Sequence, residues 1–147
     1  MARQISTVEH SDRSRNYWEY QISRADVLID QNKNQRSKGR KYEKLAEKYL
    51  TDNGFEILEN NYQAGHKEID IIARKDSSVV FVEVKGAESE KFGHPAEKVD
   101  SRKRKFLIEA AEQYIQLNDF NGFDFRFDLI TILNGRLEHF PDAFQKE

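Results

Sequence analysis

EIDIIARKDSSVVFVEVK, residues 68–85, decides how this chain folds. Two apolar runs flank a polar Asp76-Ser77 turn, and the second, VVFVEV, is apolar almost without a break, as a strand covered on both faces must be. A hairpin loop of even length centred between Asp76 and Ser77 makes paired positions sum to 153, which sets Asp70 opposite Glu83. Side chains directly opposite on one face stand about 5 Å apart, so two carboxylates there repel. The strand period of two puts Lys85 on the same face as Glu83. An ion pair with Lys85 is the plain structural solution, but it neutralises one acid and leaves the other, whose unpaired burial is costly.

Outward from the hairpin, residues 38–53 place Tyr42, Leu45, Ala46, Tyr49 and Leu50 on one helical face, with Gly54 as the left-handed terminator and Ser37 as the expected N-cap. Glu43 lies on the flank of that stripe, about 90° from its centre, able to turn inward if the helix packs on the sheet. Glu43, Asp70, Glu83 and Lys85 together carry a formal charge of −2, which one Mg²⁺ would balance. FEILENNY (55–62) reads as a strand, KFGHPAEK as a loop, and residues 96–117 as a second amphipathic helix bearing Val99, Phe106, Leu107, Ala110, Tyr114 and Ile115. FRFDLITIL (125–133) alternates as a strand, and Asn134-Gly135 favours a tight hairpin turn into RLEHF. The expected order is helix, three strands, helix, two strands: an α/β fold with a mixed five-stranded sheet flanked by helices.

Ahead of this unit, Trp18, Ile22, Ala25 and Ile29, widened by Tyr17 and Leu28, predict an extra N-terminal helix over about 13–30, followed by the linker QNKNQRSKG. Residues 1–36 are therefore taken as an extension and 37–147 as the main domain, with the Trp18 helix a candidate homodimer contact. The 24 basic and 26 acidic residues leave a net charge of −2, so any nucleic-acid contact must come from local patches, KNQRSKGRK with Arg40 and KVDSRKRK. The absence of cysteine excludes disulfides and thiolate metal sites, so a metal would need oxygen or imidazole donors. With no apolar run of membrane length and no signal-peptide pattern, a cytoplasmic location and no membrane association are expected.

Glu43 on the first helix, then Asp70, then Glu83-Val84-Lys85 resembles the signature of the PD-(D/E)XK, or restriction-endonuclease-like, nuclease superfamily. KGRKYEKLAEKYLTDNGFEILENNY, KEIDIIARKDSSVVFVEVK, KFGHPAEKV with Lys103 following, RFDLITI and LEHFPDAF resemble its YraN-like branch more closely, over residues 38–144. The chain departs from the branch at Lys67, where Gly is usual. The resemblance implies that Asp70, Glu83 and the Val84 carbonyl hold Mg²⁺, or Mn²⁺ in its place, with Glu43 binding directly or through water. It implies that Lys85 orients the attacking water or steadies the phosphate, and that Lys103 lines the substrate groove or meets the carboxylates. The activity the resemblance implies is Mg²⁺-dependent phosphodiester hydrolysis of DNA, with structured or branched DNA among the candidate substrates and RNA the other candidate nucleic acid. The alternative is a catalytically weak or inactive nuclease fold that binds nucleic acid or a protein.

Lys98, Arg102 and Lys105 form a stripe on the second helix that can touch backbone phosphates, although an ordinary solvated face is the commoner reason for such a charge run. The four histidines, at 10, 66, 94 and 139, show no ligand spacing and read as loop or surface residues. Arg126 and Asp128 share one face of a late strand and read as a structural pair.

Overall fold

The computed structural model describes residues 18–22, 35–87 and 100–145. Its elements are β1 (Trp18–Gln21), α1 (Gln35–Asp52), β2 (Glu56–Ala64), β3 (Lys67–Lys75), β4 (Ser78–Ala87), α2 (Ser101–Leu117), β5 (Asp124–Leu133) and β6 (Arg136–Phe144). From α1 onward the order is αβββαββ, a restriction-endonuclease-like core, as the sequence predicts.

The sheet runs β1-β6-β5-β4-β3-β2. All neighbours are antiparallel except β4 and β5, whose parallel pairing spans Ser78–Asp124 to Ala87–Leu133 and is the pairing that α2 must cross over. Each face of the sheet carries one helix. Ala46, Tyr49 and Leu50 of α1 pack with Ile71, Ala73, Val80, Val82, Ile130 and Leu137. Leu107, Ala110, Ala111 and Tyr114 of α2 pack with Ile69, Ile72, Val79, Phe81 and Leu129. β4 is therefore apolar on both faces because both are covered, which is what VVFVEV encodes.

The turns follow local chemistry. Gly54 ends α1 at φ 87°, and the Phe55 N–H donates back to the Leu50 carbonyl at 3.0 Å. Asn134 and Gly135 both take positive φ, 51° and 75°, joining β5 to β6 in the expected two-residue hairpin. Gly65, at φ 66°, turns β2 into β3, whereas Lys67 has no positive φ and already pairs with Ala64. Lys67 needs no glycine backbone because Gly65 carries the turn, and its ammonium instead meets Glu109 of α2 at 2.7 Å.

Three expectations need correction. Trp18–Gln21 form a strand against Arg136–His139 of β6, not part of a helix, because the open edge of β6 offers backbone partners. The sheet thus has six strands, and the rest of the predicted 13–30 helix lies outside the described residues. Helix α1 starts at Gln35, inside the expected linker and two residues before Ser37. Helix α2 starts at Ser101, not near 96, since Asp100 is extended and its carboxylate accepts the Lys103 N–H at 2.9 Å as an N-cap. No helix among the described residues is long and apolar enough to cross a membrane.

Candidate metal centre

The hairpin register is the expected one. Pairs from Ile71–Val82 to Lys75–Ser78 all sum to 153. Regular pairing stops there, one step short of Asp70 and Glu83. Residues two apart on a strand share a face, yet Ile71 packs on the α1 side while Ile69 packs on the α2 side with Ile72. β3 therefore slips phase by one residue around Asp70. On its other edge the pairs Asn60–Ile71 and Tyr62–Ile69 keep one register but leave out Asn61 and Asp70 between them, and Asn61 has left-handed backbone, φ 52°. Asp70 sits at this fault in the sheet, and its Oδ2 accepts the Val84 N–H at 2.9 Å in place of a strand carbonyl.

The fault collects acids. Glu43, Glu68 and Asp70 each bring a carboxylate oxygen within 4.8 Å of the others. The Asn61 amide, oriented to suit its neighbours, donates to Glu43 at 2.9 Å and to Glu68 at 2.8 Å. Glu43 reaches the trio because α1 is held tight against β4. The Tyr42 ring lies over Gly86 so closely that a Cβ there would run into it. Glu68 is a member that the sequence reading missed, although its position two residues before Asp70 on one strand was the available signal.

Glu83 is not within that trio. Its side chain is only 2% exposed, and Oε1 meets Lys85 Nζ at 3.4 Å and Lys103 Nζ at 3.5 Å. Lys103, out of place in the apolar stripe of α2, thus reaches the acids as expected. Glu83 Oε2 is buried without a hydrogen-bond partner. Burial, followed by the charge of Glu83, pushes the Asp70 carboxyl up to about 8, against the opposing pull of the Val84 N–H and Lys103. Burial also raises Glu43, with the Asn61 bond and Arg40 opposing and the charges of Glu68 and Glu83 adding to the rise.

Four carboxylates and two ammonium groups leave the cluster at a net −2 when all are ionised. An orphaned buried oxygen and a carboxyl held far above its ordinary range are both features that a cation among hard oxygen donors would relieve. The donor set fits Mg²⁺ or Mn²⁺, which take carboxylate, carbonyl and water oxygens.

Of the residues expected at nucleic acid, Arg40 is exposed beside Glu43, and Arg102 and Lys105 are exposed on α2. Arg102 lies over the Phe106 ring, 5.5 Å from its centroid. Together with Ser101, Arg104 and Ile108, Arg102 and Lys105 line a groove of about 960 Å³. Lys98 lies outside the described residues.

A second polar cluster begins one strand over, where Asp128 of β5 pairs with Val82, the residue before Glu83. Asp128, fully buried, accepts from Arg126 Nε at 3.0 Å, from the Asp142 N–H at 2.9 Å and from His139 Nε2 at 2.6 Å. His139 Nδ1 bonds the Tyr49 hydroxyl at 3.0 Å. The Arg126–Asp128 pair is as expected. His139 is not a surface residue: β6 carries it into the core at 3% exposure. Burial pushes the Asp128 carboxyl up, but its bonds from His139, Arg126 and Asp142 outweigh that and hold it below the ordinary range. Tyr49, His139 and Arg126 border a cleft of about 470 Å³.

The uncharacterised protein family UPF0102 matches residues 42–132, a span that includes Glu43, Asp70, Glu83 and Lys103. Similar chains include a UPF0102 protein of Clostridioides difficile, 43% identical over 113 residues, covering 76% of this chain and 99% of the relative. Another, from Chloroherpeton thalassium, is 45% identical over 95 residues, 65% of this chain and 74% of the relative. A third, from a Sulfurihydrogenibium species, is 39% identical over 110 residues, 75% of this chain and 96% of the relative.

Proposed function

The chain belongs to the uncharacterised protein family UPF0102, a YraN-like nuclease-fold family, and we propose that it is a Mg²⁺-dependent nuclease hydrolysing phosphodiester bonds of DNA. The observation that carries this reading is the under-satisfied carboxylate cluster: part-buried Asp70 beside buried Glu83 at a fault in the sheet, with Glu83 Oε2 lacking a partner. A binding module has no need of such a repelling pair.

Asp70, Glu83 and the Val84 carbonyl would hold the cation, with Glu43 direct or through water. When bound, Mg²⁺ supplies an acidified water and offsets negative charge on the scissile phosphate. The chain's own groups do the rest. Lys85, half-buried and tethered by Glu83 Oε1 at 3.4 Å, presents an ammonium that can orient water or contact a phosphate oxygen. Lys103, held by the same oxygen, brings a second ammonium from α2 to the same place. Arg102, Arg104 and Lys105 line the groove beside that helix together with Glu109 and Glu112, and these basic side chains would give a nucleic-acid backbone charge-assisted contacts.

The test incubates single-stranded, duplex, nicked and branched DNA, together with RNA, with wild type and Glu83→Ala. Cleavage should require Mg²⁺ or Mn²⁺, stop with a chelator and fall by at least about 100-fold in the variant. Cleavage that survives undiminished in Glu83→Ala defeats the assignment. Binding of DNA by wild type without any cleavage would instead identify a nuclease fold used as a binding module.

A further inference from the structure

Resting on the reading above, we infer that Glu68 is itself a ligand of the divalent cation, a fourth carboxylate in addition to Glu43, Asp70 and Glu83. Its place among the acids and the Asn61 bond bear on Glu68 directly, and an orphaned oxygen marks the neighbouring Glu83. The Glu68 carboxylate oxygen lies within 4.8 Å of those of Glu43 and Asp70, an arrangement in which one ion can touch all three. The Asn61 amide donates to Glu43 and Glu68 at 2.9 and 2.8 Å, so a group with positive hydrogens already stands between these two acids. Beside Asp70, and acting on it through its charge, Glu83 carries a buried, unpartnered Oε2.

The fault in the sheet explains why Glu68 is available. Glu68 pairs with Gln63 in the regular β2–β3 ladder and Gln63 Nε2 donates to its Oε2 at 2.7 Å, while its Oε1 is the oxygen turned to Asn61. One oxygen is thus anchored and the other faces the acids. With Glu83 Oε1 drawn to Lys85 and Lys103, the α1 side of Asp70 is where carboxylate oxygens remain uncommitted to a cationic side chain. Glu68 supplies one of them.

The experiment measures Mn²⁺ binding to the full chain by calorimetric titration at neutral pH, with circular dichroism confirming that each variant is folded. Wild type is compared with Glu68→Gln, Glu68→Asp, Asp70→Asn and, as a remote carboxylate, Glu56→Gln. A ligand role weakens binding at least about tenfold in both Glu68→Gln and Glu68→Asp, because the shorter acid keeps the charge but withdraws the oxygen, and leaves Glu56→Gln within about twofold of wild type. Binding retained in Glu68→Asp but not in Glu68→Gln would reduce Glu68 to a source of field and overturn the inference. Glu68→Gln equal to wild type while Asp70→Asn abolishes binding also overturns it, leaving the nuclease reading intact. No binding by wild type overturns both.

Discussion

Two acids of this molecule, the buried Asp128 and the part-buried Asp70, differ in how many donors surround them, and that difference separates structure from chemistry. Asp128 is enclosed by Arg126, His139 and the Asp142 N–H, and its carboxyl is held below the ordinary range. Asp70 accepts the Val84 N–H and stands among Glu43, Glu68 and Glu83, with its carboxyl pushed up to about 8 by burial and then by Glu83. A folding chain gains from the first arrangement and loses from the second unless a cation completes it. The satisfied cluster therefore fastens β5 to β6 and α1, and the unsatisfied one is the site proposed for the cation.

The sharpest way to break this contrast is to remove each acid in turn. Asp128→Ala leaves Arg126 and His139 without their shared acceptor and should cost about 3–5 kcal/mol in denaturant unfolding without metal. A loss below about 1 kcal/mol would show that the cluster fastens nothing. Asp70→Asn should go the other way. The folded carboxyl, near 8 against an ordinary 3.8, keeps a proton that the unfolded chain has released, so wild-type stability without metal falls as pH rises from about 4 to about 8. The slope approaches at most about 1.4 kcal/mol per pH unit, and Asp70→Asn should flatten it and leave the variant the more stable at pH 8. An unchanged slope would mean that Asp70 is not the group under strain. The smallest effect belongs to Lys67, whose bridge to Glu109 joins two partly exposed side chains. Lys67→Ala should cost under about 1 kcal/mol and leave Mn²⁺ binding unchanged, and a larger effect on binding would tie the α2 surface to the metal centre.

Much of this was legible in the chain. The hairpin register could be read from Asp76-Ser77 because a two-residue loop leaves one way to pair the strands, and the period of two then carried Lys85 to Glu83. The helical stripes of α1 and α2 marked the two covered faces, whereas it was the family resemblance, not helical spacing, that offered Lys103 a place beside the acids. The β1 strand was not legible, since Trp18 and Ile22 fit helical spacing and what recruits Trp18–Gln21 is the free edge of β6, more than a hundred residues away in sequence. The depth of His139 was hidden for a similar reason: its partners Tyr49 and Asp128 come from α1 and β5, and no local pattern joins them.

The sequence by itself determined the elements, their order and the identity of the charged residues in the hairpin, because periodicity and turn chemistry act over a few neighbouring residues. Only the tertiary structure decided what those charges face. The phase slip at Asp70 depends on three strands at once, with Asn61 left-handed on one side and regular pairing ending at Ile71–Val82 on the other. That slip turns Asp70 and Glu68 toward Glu43 of α1, while Lys85 and Lys103 hold Glu83. The pattern of one strand shows that an acid is buried, but whether it is neutralised depends on distances between elements that meet only in the folded chain.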